Sequence, residues 1–146
     1  MKTAKVLEVV TRRVAVEEDL QEYVLRVVNN AEDAVGLATA MIGRSDREVF
    51  LAILLDAKRR VIGSERVSIG TTSQALVHPR EVFKAAILAN ASAILVAHNH
   101  PSGDPTPSSD DQNVTKRLRD AGVFLGIPVL DSVVVTDDVT TYRRVV

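Results

Sequence analysis

The sequence predicts a single α/β domain built around a mixed β-sheet. Helical and strand-like segments alternate along most of its 146 residues, which is typical of layered α/β proteins. Two apolar runs of strand length, VFLAILLD and ASAILVA, are candidates for the buried centre of the sheet. A chain of this length buries roughly two thirds of its unfolded surface. We therefore expect residues 1–146 to form one domain around one sheet.

The first half of the chain contains signals for strands and one helix. Residues 5–16 are rich in valine and predict one or two edge strands. Asn30 suits the N-cap of a helix, AEDAVGLATAMIG, that we expect to end near Gly43. The run Val49–Asp56 is the first buried strand, and AKRR turns the chain into a hairpin with VIGSERVSIG.

The second half repeats the alternation of helix and strand. Pro79 suits the first turn of the helix REVFKAAILAN, and ASAILVA is a second buried strand that ends at His98. Residues 99–107 hold three of the five prolines, which excludes a helix or a central strand there. Ser108 suits the N-cap of a helix that we expect to end near Gly122. The segments IPVLDSVVVT and TTYRRVV predict the last strands.

Composition narrows the functional classes. Eighteen basic and nineteen acidic side chains give a net charge of −1, whereas a nucleic-acid-binding domain is usually strongly basic. The absence of cysteine excludes thiolate metal sites and disulfides. The charged N-terminus does not fit a signal peptide, and no run approaches the ~20 apolar residues of a membrane span. We expect a soluble, cytoplasmic protein that does not associate with membranes.

The stretch most informative about chemistry is HNHPSGDPTPSSDD, from His98 to Asp111. In extended backbone, alternate side chains share a side, so His98 and His100 project together while Asn99 points away. Asp111 lies in the first turn of the next helix, where the chain can fold back toward the strand end. Two imidazoles and a carboxylate would give zinc three ligands and leave a fourth position for water. By spacing alone, a polar loop before an ordinary helix start, where aspartate is common, is the more frequent explanation than a metal site.

The same stretch resembles the JAMM (MPN+) metalloprotease signature, HxHP followed by SxxD, in the form found in RadC-like proteins. Three flanking segments look like that family too: EVFLAILLDAKRRVIG, SIGTTSQALVHPREVFKAAILANASAILVAHNHPSG and RLRDAGVFLGIPVLDSVVV. The resemblance covers roughly residues 30–146. It implies the JAMM/MPN fold, a curved mixed sheet flanked by helices and similar to that of cytidine deaminases.

The resemblance also implies a role for each residue of the signature. It implies that His98, His100 and Asp111 bind Zn²⁺, and that Ser108 holds the oxyanion or the bound water. It further implies a zinc-dependent metallopeptidase that hydrolyses an amide or isopeptide bond of a peptide or protein substrate.

A general base is implied upstream of the signature. The family places a glutamate just before the first buried strand, and here that residue is Glu48. A carboxylate at this place can take a proton from the attacking water and pass it to a leaving amine. Sequence spacing leaves Asp46, Asp56 and Glu81 open as alternatives for this role.

Two departures from the family pattern bear on function. Longer RadC proteins carry an N-terminal helix-hairpin-helix region that this sequence does not show, and the LDH common in the family is replaced by Leu130-Asp131-Ser132. The first departure weakens the inference that this protein binds DNA. The second changes the local chemistry of the pocket, but the residues of the metal motif are all retained.

Other functional classes fit the sequence less well. The main alternative is a non-proteolytic RadC-like protein that acts in DNA repair or nucleic-acid metabolism. A zinc deaminase would need H-x-E with P-C-x-x-C, which a chain without cysteine excludes. The letters HNH suggest a nuclease, but the bulk charge and the SxxD partner disfavour one. A non-catalytic MPN scaffold would lack the metal ligands, which are all present. Oligomeric state has no signature in the sequence.

Overall fold

The computed structural model describes residues 18–70 and 77–146. After a 3₁₀ turn at Glu18–Tyr23, the elements in chain order are α1 (Ala31–Ile42), β1 (Glu48–Leu55), β2 (Val61–Gly70), α2 (Pro79–Leu88), β3 (Ala93–Asn99), α3 (Ser109–Leu125), β4 (Val129–Val135) and β5 (Arg143–Arg144). This mixed α/β arrangement confirms the predicted fold class. The strands predicted within residues 5–16 lie outside the described residues.

The five strands form one mixed sheet in the order β2-β1-β3-β4-β5. β1 is antiparallel to both β2 and β3, and β5 is antiparallel to β4. β3 and β4 are parallel and are connected through α3. The predicted hairpin is therefore β1–β2, and β3 lies at the centre of the sheet with a paired strand on each side.

The central strands β1 and β3 are buried on both faces, as their unbroken apolar sequences predicted. Alternate side chains of β1 enter two separate cores. Val49 and Leu51 pack on the face covered by α1, whereas Phe50 and Ala52 pack on the face covered by α2 and α3. Because Phe50 pairs with His98 across the β1–β3 ladder, the end of β3 also presents His98 toward α3.

The helix starts follow the predicted capping chemistry. The Asn30 side chain accepts a hydrogen bond from the Asp33 N–H at 2.8 Å and caps α1. Pro79 occupies the first turn of α2, and His78 caps that helix through Nδ1, 3.0 Å from the Arg80 N–H. None of the helices within residues 18–70 and 77–146 is long and apolar enough to cross a membrane.

The end of α3 corrects one prediction. The helix does not stop near Gly122 but continues to Leu125 and ends at Gly126, whose φ of 71° is left-handed. Gly122 is buried inside the helix, and a Cβ there would lie 2.6 Å from the Ile127 carbonyl oxygen. Glycine is needed at 122 for close approach of the chain rather than for helix termination. The last predicted strand, TTYRRVV, is also shorter than expected and comprises only Arg143–Arg144.

Gly43 ends α1 as predicted, but its role is steric rather than conformational. Its φ of −61° is open to any residue, whereas a Cβ would lie 2.5 Å from the Thr136 carbonyl oxygen and 2.6 Å from that of Thr39. We expect Gly43→Ala to lower the free energy of unfolding by about 1–3 kcal/mol in urea denaturation. Gly36 lies in the same helix, and a Cβ added there would meet no heavy atom within 4 Å. Gly36→Ala should therefore raise the free energy of unfolding by roughly 0.5–1 kcal/mol. Equal effects of the two substitutions would contradict this close approach.

Candidate metal centre

Two histidines leave the end of β3 on the same side, as predicted. The His98 side chain is only 2% exposed, and the ring of Phe50 stacks on it with centroids 5.9 Å apart and an interplanar angle of 11°. The His100 N–H donates to the Val135 carbonyl oxygen at 3.0 Å, which continues the alignment with β4 past the end of β3. Both imidazoles are therefore carried by backbone that the sheet holds in place.

Asp111 approaches these histidines from the first turn of α3. The predicted N-cap, Ser108, forms a capping box with it: the Ser108 N–H donates to Asp111 Oδ2 at 2.8 Å, and the Asp111 N–H donates to Ser108 Oγ at 3.1 Å. The loop between β3 and α3 folds back with Pro105 buried. The local signal that starts the helix thus also fixes the direction of the Asp111 carboxylate.

The three side chains converge on one point. His98 Nε2 lies 3.1 Å from Asp111 Oδ1, and His100 Nε2 lies 3.3 Å from Asp111 Oδ2. One ligand atom from each residue lies within 4.8 Å of the other two. Ligands at ~2.1 Å from a tetrahedral zinc would be about 3.4 Å apart, so the spacing fits a common ion. His98, His100 and Asp111 therefore form a group that can hold a metal ion.

The hydrogen bonding of the two rings supports the same conclusion. Neither nitrogen of the buried His98 ring has a hydrogen-bond partner in the part of the chain that the structure describes. His98 Nε2 lies 3.1 Å from Asp111 Oδ1, but the two groups are not aligned as a hydrogen bond. Such an unpaired buried group costs about 1–3 kcal/mol, which coordination would offset. His100 Nδ1 lies 2.8 Å from the Asp104 carbonyl oxygen, which orients the ring and leaves Nε2 for a metal.

The electrostatics favour an anionic Asp111. Burial by itself would raise the pKa of this carboxyl, but the neighbouring His98 imidazole and the hydrogen-bonding groups of Ser108 outweigh burial and hold the pKa well below its usual range. Asp111 also lies near the positive end of the α3 dipole. It is therefore ionised at neutral pH, which is the form that binds a metal.

Glu48 begins β1 on the face of the sheet that carries the histidines. Successive side chains of this strand enter opposite cores, so Glu48 shares the face of Phe50, whose ring stacks on His98. Phe50 pairs with His98 in the antiparallel register, and continuing that register by two residues places Glu48 opposite His100. The Glu48 side chain is half-buried. The predicted general base thus lies on the face of the sheet that carries both histidines.

Two of the alternative carboxylates have other partners. Asp56 follows the opposite end of β1, where Leu55 pairs with Ala93, about 17 Å along the strand from His98. Asp56 instead accepts a 2.7 Å hydrogen bond from Arg60 Nε in the hairpin turn. Glu81 lies in the first turn of α2 and pairs with Lys84 at 2.9 Å.

The third alternative, Asp46, lies near the loop that follows His100. It is exposed and lines a polar pocket of about 270 Å³ together with Arg44, Pro101 and Asp137. Pro101 directly follows His100, although none of the three candidate ligands lines this pocket. Asp46 lies two residues before Glu48 and is therefore the carboxylate against which Glu48 has to be tested.

Two polar features of the site were not predicted. Asn99, expected only to point away from the ligands, is fully buried, and its side-chain oxygen accepts a hydrogen bond from the Val49 N–H at 2.7 Å. Ser132 is also buried, at the position of the histidine in the family's LDH pattern. Its Oγ lies 2.9 Å from Oγ1 of Thr115, and Thr115 follows Asp111 by one turn of α3. The signal that marks both residues is a polar side chain in a strand whose other residues are mostly apolar.

Comparisons with known proteins agree with this geometry. A family model described as the RadC-like JAB domain matches residues 28–144. UPF0758 proteins are similar: that of Desulforamulus reducens is 47% identical over 112 residues, covering 77% of this chain and 49% of the relative. The UPF0758 protein of Caldanaerobacter subterraneus subsp. tengcongensis is 49% identical over 110 residues, 75% of this chain and 47% of the relative. The chain thus spans about half the length of the curated relatives it matches.

The metal-binding group can be tested by analysis of the purified protein. We expect about one metal ion per chain, and His100→Ala or Asp111→Ala should reduce this content sharply because two ligands alone bind weakly. His78→Ala is the matched control, since the remaining histidine of the chain caps α2 outside the group. Full metal content in the His100 and Asp111 variants would show that the ligand set is wrong.

Proposed function

Because this chain belongs to the RadC-like JAB domain family, we propose that it is a zinc-dependent metallopeptidase that hydrolyses amide or isopeptide bonds. The observation that carries this proposal is the convergence of His98, His100 and Asp111 at the end of the central strand. Three protein ligands are typical of catalytic zinc sites, whereas structural sites use four. His100 is partly exposed and Ser108 is exposed, so one side of the group is open to a substrate.

The donor set supports zinc as the ion. Imidazole and carboxylate are common zinc ligands, and zinc, when bound, supplies Lewis acidity and lowers the pKa of a coordinated water to about 7. Two histidines and a carboxylate also occur in Fe(II) sites. The metal analysis should therefore identify the element as well as the stoichiometry.

Proton transfer is assigned to Glu48. From its position level with His100, a carboxylate can accept a proton from the attacking water and return it to the leaving nitrogen. General acid–base catalysis of this kind contributes typically 10²–10⁴-fold. An amide needs it in particular, because its nitrogen leaves readily only when protonated.

Ser108 is assigned to the carbonyl oxygen of the substrate. Its Oγ accepts a hydrogen bond from the Asp111 N–H, and its own O–H can rotate to donate to a second acceptor. A donor that meets charge developing on the substrate oxygen stabilises the transition state. One side chain would thus cap α3 and assist the reaction.

The substrate class can be tested with an unbiased library. Purified protein with its native metal should cleave peptide or isopeptide-linked substrates, and a chelator should abolish the cleavage. Single- and double-stranded DNA should be assayed in parallel, because the alternative is a role in nucleic-acid metabolism without proteolysis. Metal-dependent action on DNA, with no peptide cleaved, would contradict the proposed function and favour that alternative.

Glu48→Gln tests the catalytic assignment most directly. Glutamine keeps the shape and the hydrogen-bonding reach but cannot accept the proton, so hydrolysis should fall by ~10² or more while metal content and thermal stability are retained. Asp46→Asn, two residues earlier in the segment before β1, is the matched control and should keep nearly full turnover. The reverse result would move the general base to Asp46, and loss of metal from Glu48→Gln would make Glu48 a ligand.

Two substitutions should distinguish the role of Ser108 as a helix cap from its role as a hydrogen-bond donor. Ser108→Ala removes the cap and the hydroxyl, and it should lower the free energy of unfolding by ~1 kcal/mol as well as turnover. Ser108→Asp replaces the cap but offers no hydrogen-bond donor, so stability should recover while turnover remains at least tenfold reduced. Urea denaturation and steady-state kinetics measure the two effects. Full turnover of Ser108→Asp would show that the serine serves only the helix.

A further inference from the structure

Asn99 stands between the two histidine ligands but faces the other side of β3. It is completely buried, and its neighbours on the strand are apolar up to His98. A buried amide is costly unless its donors and acceptors are paired. The side chain therefore has to be explained by the groups that it contacts.

All three hydrogen bonds of the Asn99 side chain go to the main chain that enters β1. Oδ1 accepts from the Val49 N–H at 2.7 Å. Nδ2 donates to the Arg47 carbonyl oxygen at 2.9 Å and to the Ser45 carbonyl oxygen at 3.3 Å. These partners lie about fifty residues away in the sequence, so the contacts are tertiary and join the metal-binding strand to the segment before β1.

Glu48 is the residue between these hydrogen bonds. The Arg47 carbonyl belongs to the peptide group before Glu48, and the Val49 N–H belongs to the peptide group after it. Peptide groups are planar, so holding the planes on both sides of one Cα fixes both of its backbone dihedrals. The direction of the Glu48 Cα–Cβ bond is thereby set by Asn99.

From this geometry we propose that Asn99 is a positioning residue for Glu48 in the reaction assigned above, an inference that rests on the proposed function. The residue that separates the two imidazoles also clamps the backbone of the general base. Two of the metal ligands and the residue that fixes the backbone of the base are thus carried by β3, which is held by β1 on one side and by β4 on the other. A misplacement of about 1 Å in such an arrangement can cost 10²-fold in rate.

The experiment compares Asn99→Ala in two backgrounds. In the otherwise native protein, kcat should fall roughly 10- to 100-fold with KM changed less than about threefold and metal content retained. In the Glu48→Gln background, the same substitution should lower kcat by less than about threefold, because residues that act through one another are not additive. Asn30→Ala is the matched control: it removes a structural side-chain-to-backbone hydrogen bond at the α1 cap and should leave kcat unchanged.

Several results would overturn the proposal. An equal loss of kcat in both backgrounds would mean that Asn99 does not act through Glu48. Loss of metal would mean that it positions the histidines instead, and unchanged kcat in folded Asn99→Ala would leave it no role in the reaction. If Asn99→Ala does not fold, Asn99→Ser, whose hydroxyl can satisfy part of the freed backbone, is used with the same expectations.

A second measurement does not depend on a substrate. Amide hydrogen exchange at Val49 should accelerate in Asn99→Ala, while the amides of Leu51 and Ile53, which lie within the β1 ladders, keep their protection. Unchanged exchange at Val49 would contradict the clamp itself. Faster exchange at Val49, with no peptide cleaved by the native protein, would instead contradict the proposed function. The two failures are therefore distinguishable.

Discussion

The pairing of β3 with a strand on each side is the constraint on which the site depends. β3 is buried along its whole length, and its hydrogen bonds to β1 and β4 are satisfied up to Asn99. The next N–H, that of His100, is also bonded to β4. The sheet thus fixes the backbone that carries both imidazoles, and the loop after β3 adds the Asp104 carbonyl that orients the His100 ring. Interactions with substrate or metal are then made by side chains that lose little further freedom.

The capping box at the start of α3 is the second constraint, because the Asp111 carboxylate both caps the helix and faces the two histidines. Asp111 Oδ2 accepts from the Ser108 N–H and also faces His100, while Oδ1 faces His98. An ionised carboxylate has about four acceptor positions, so a helix cap and a metal can share it. Although burial would raise the pKa of Asp111, the His98 imidazole, together with the Ser108 contacts that stabilise the start of α3, keeps this pKa low. Formation of the first turn of α3 therefore also places the Asp111 carboxylate beside the histidines.

Most of the elements were predictable from the sequence, because their signals are local. The apolar runs, the capping residues Asn30 and Ser108 and the HxH alternation all act within a few residues, and the structure bears them out. The errors concern what a residue packs against, which its type alone does not reveal. Gly122 looked like a helix end because glycine gives the same local signal whether it allows a left-handed turn or a close approach. The Asn99 clamp joins segments about fifty residues apart, and no local pattern reports it.

All proposed functional residues lie between Glu48 and Asp111, well inside the matched domain of residues 28–144. They are carried by β1, by β3 with the loop after it, and by the start of α3, which pack together within that domain. The proposed chemistry therefore rests on contacts made inside the part of the chain that the family model matches.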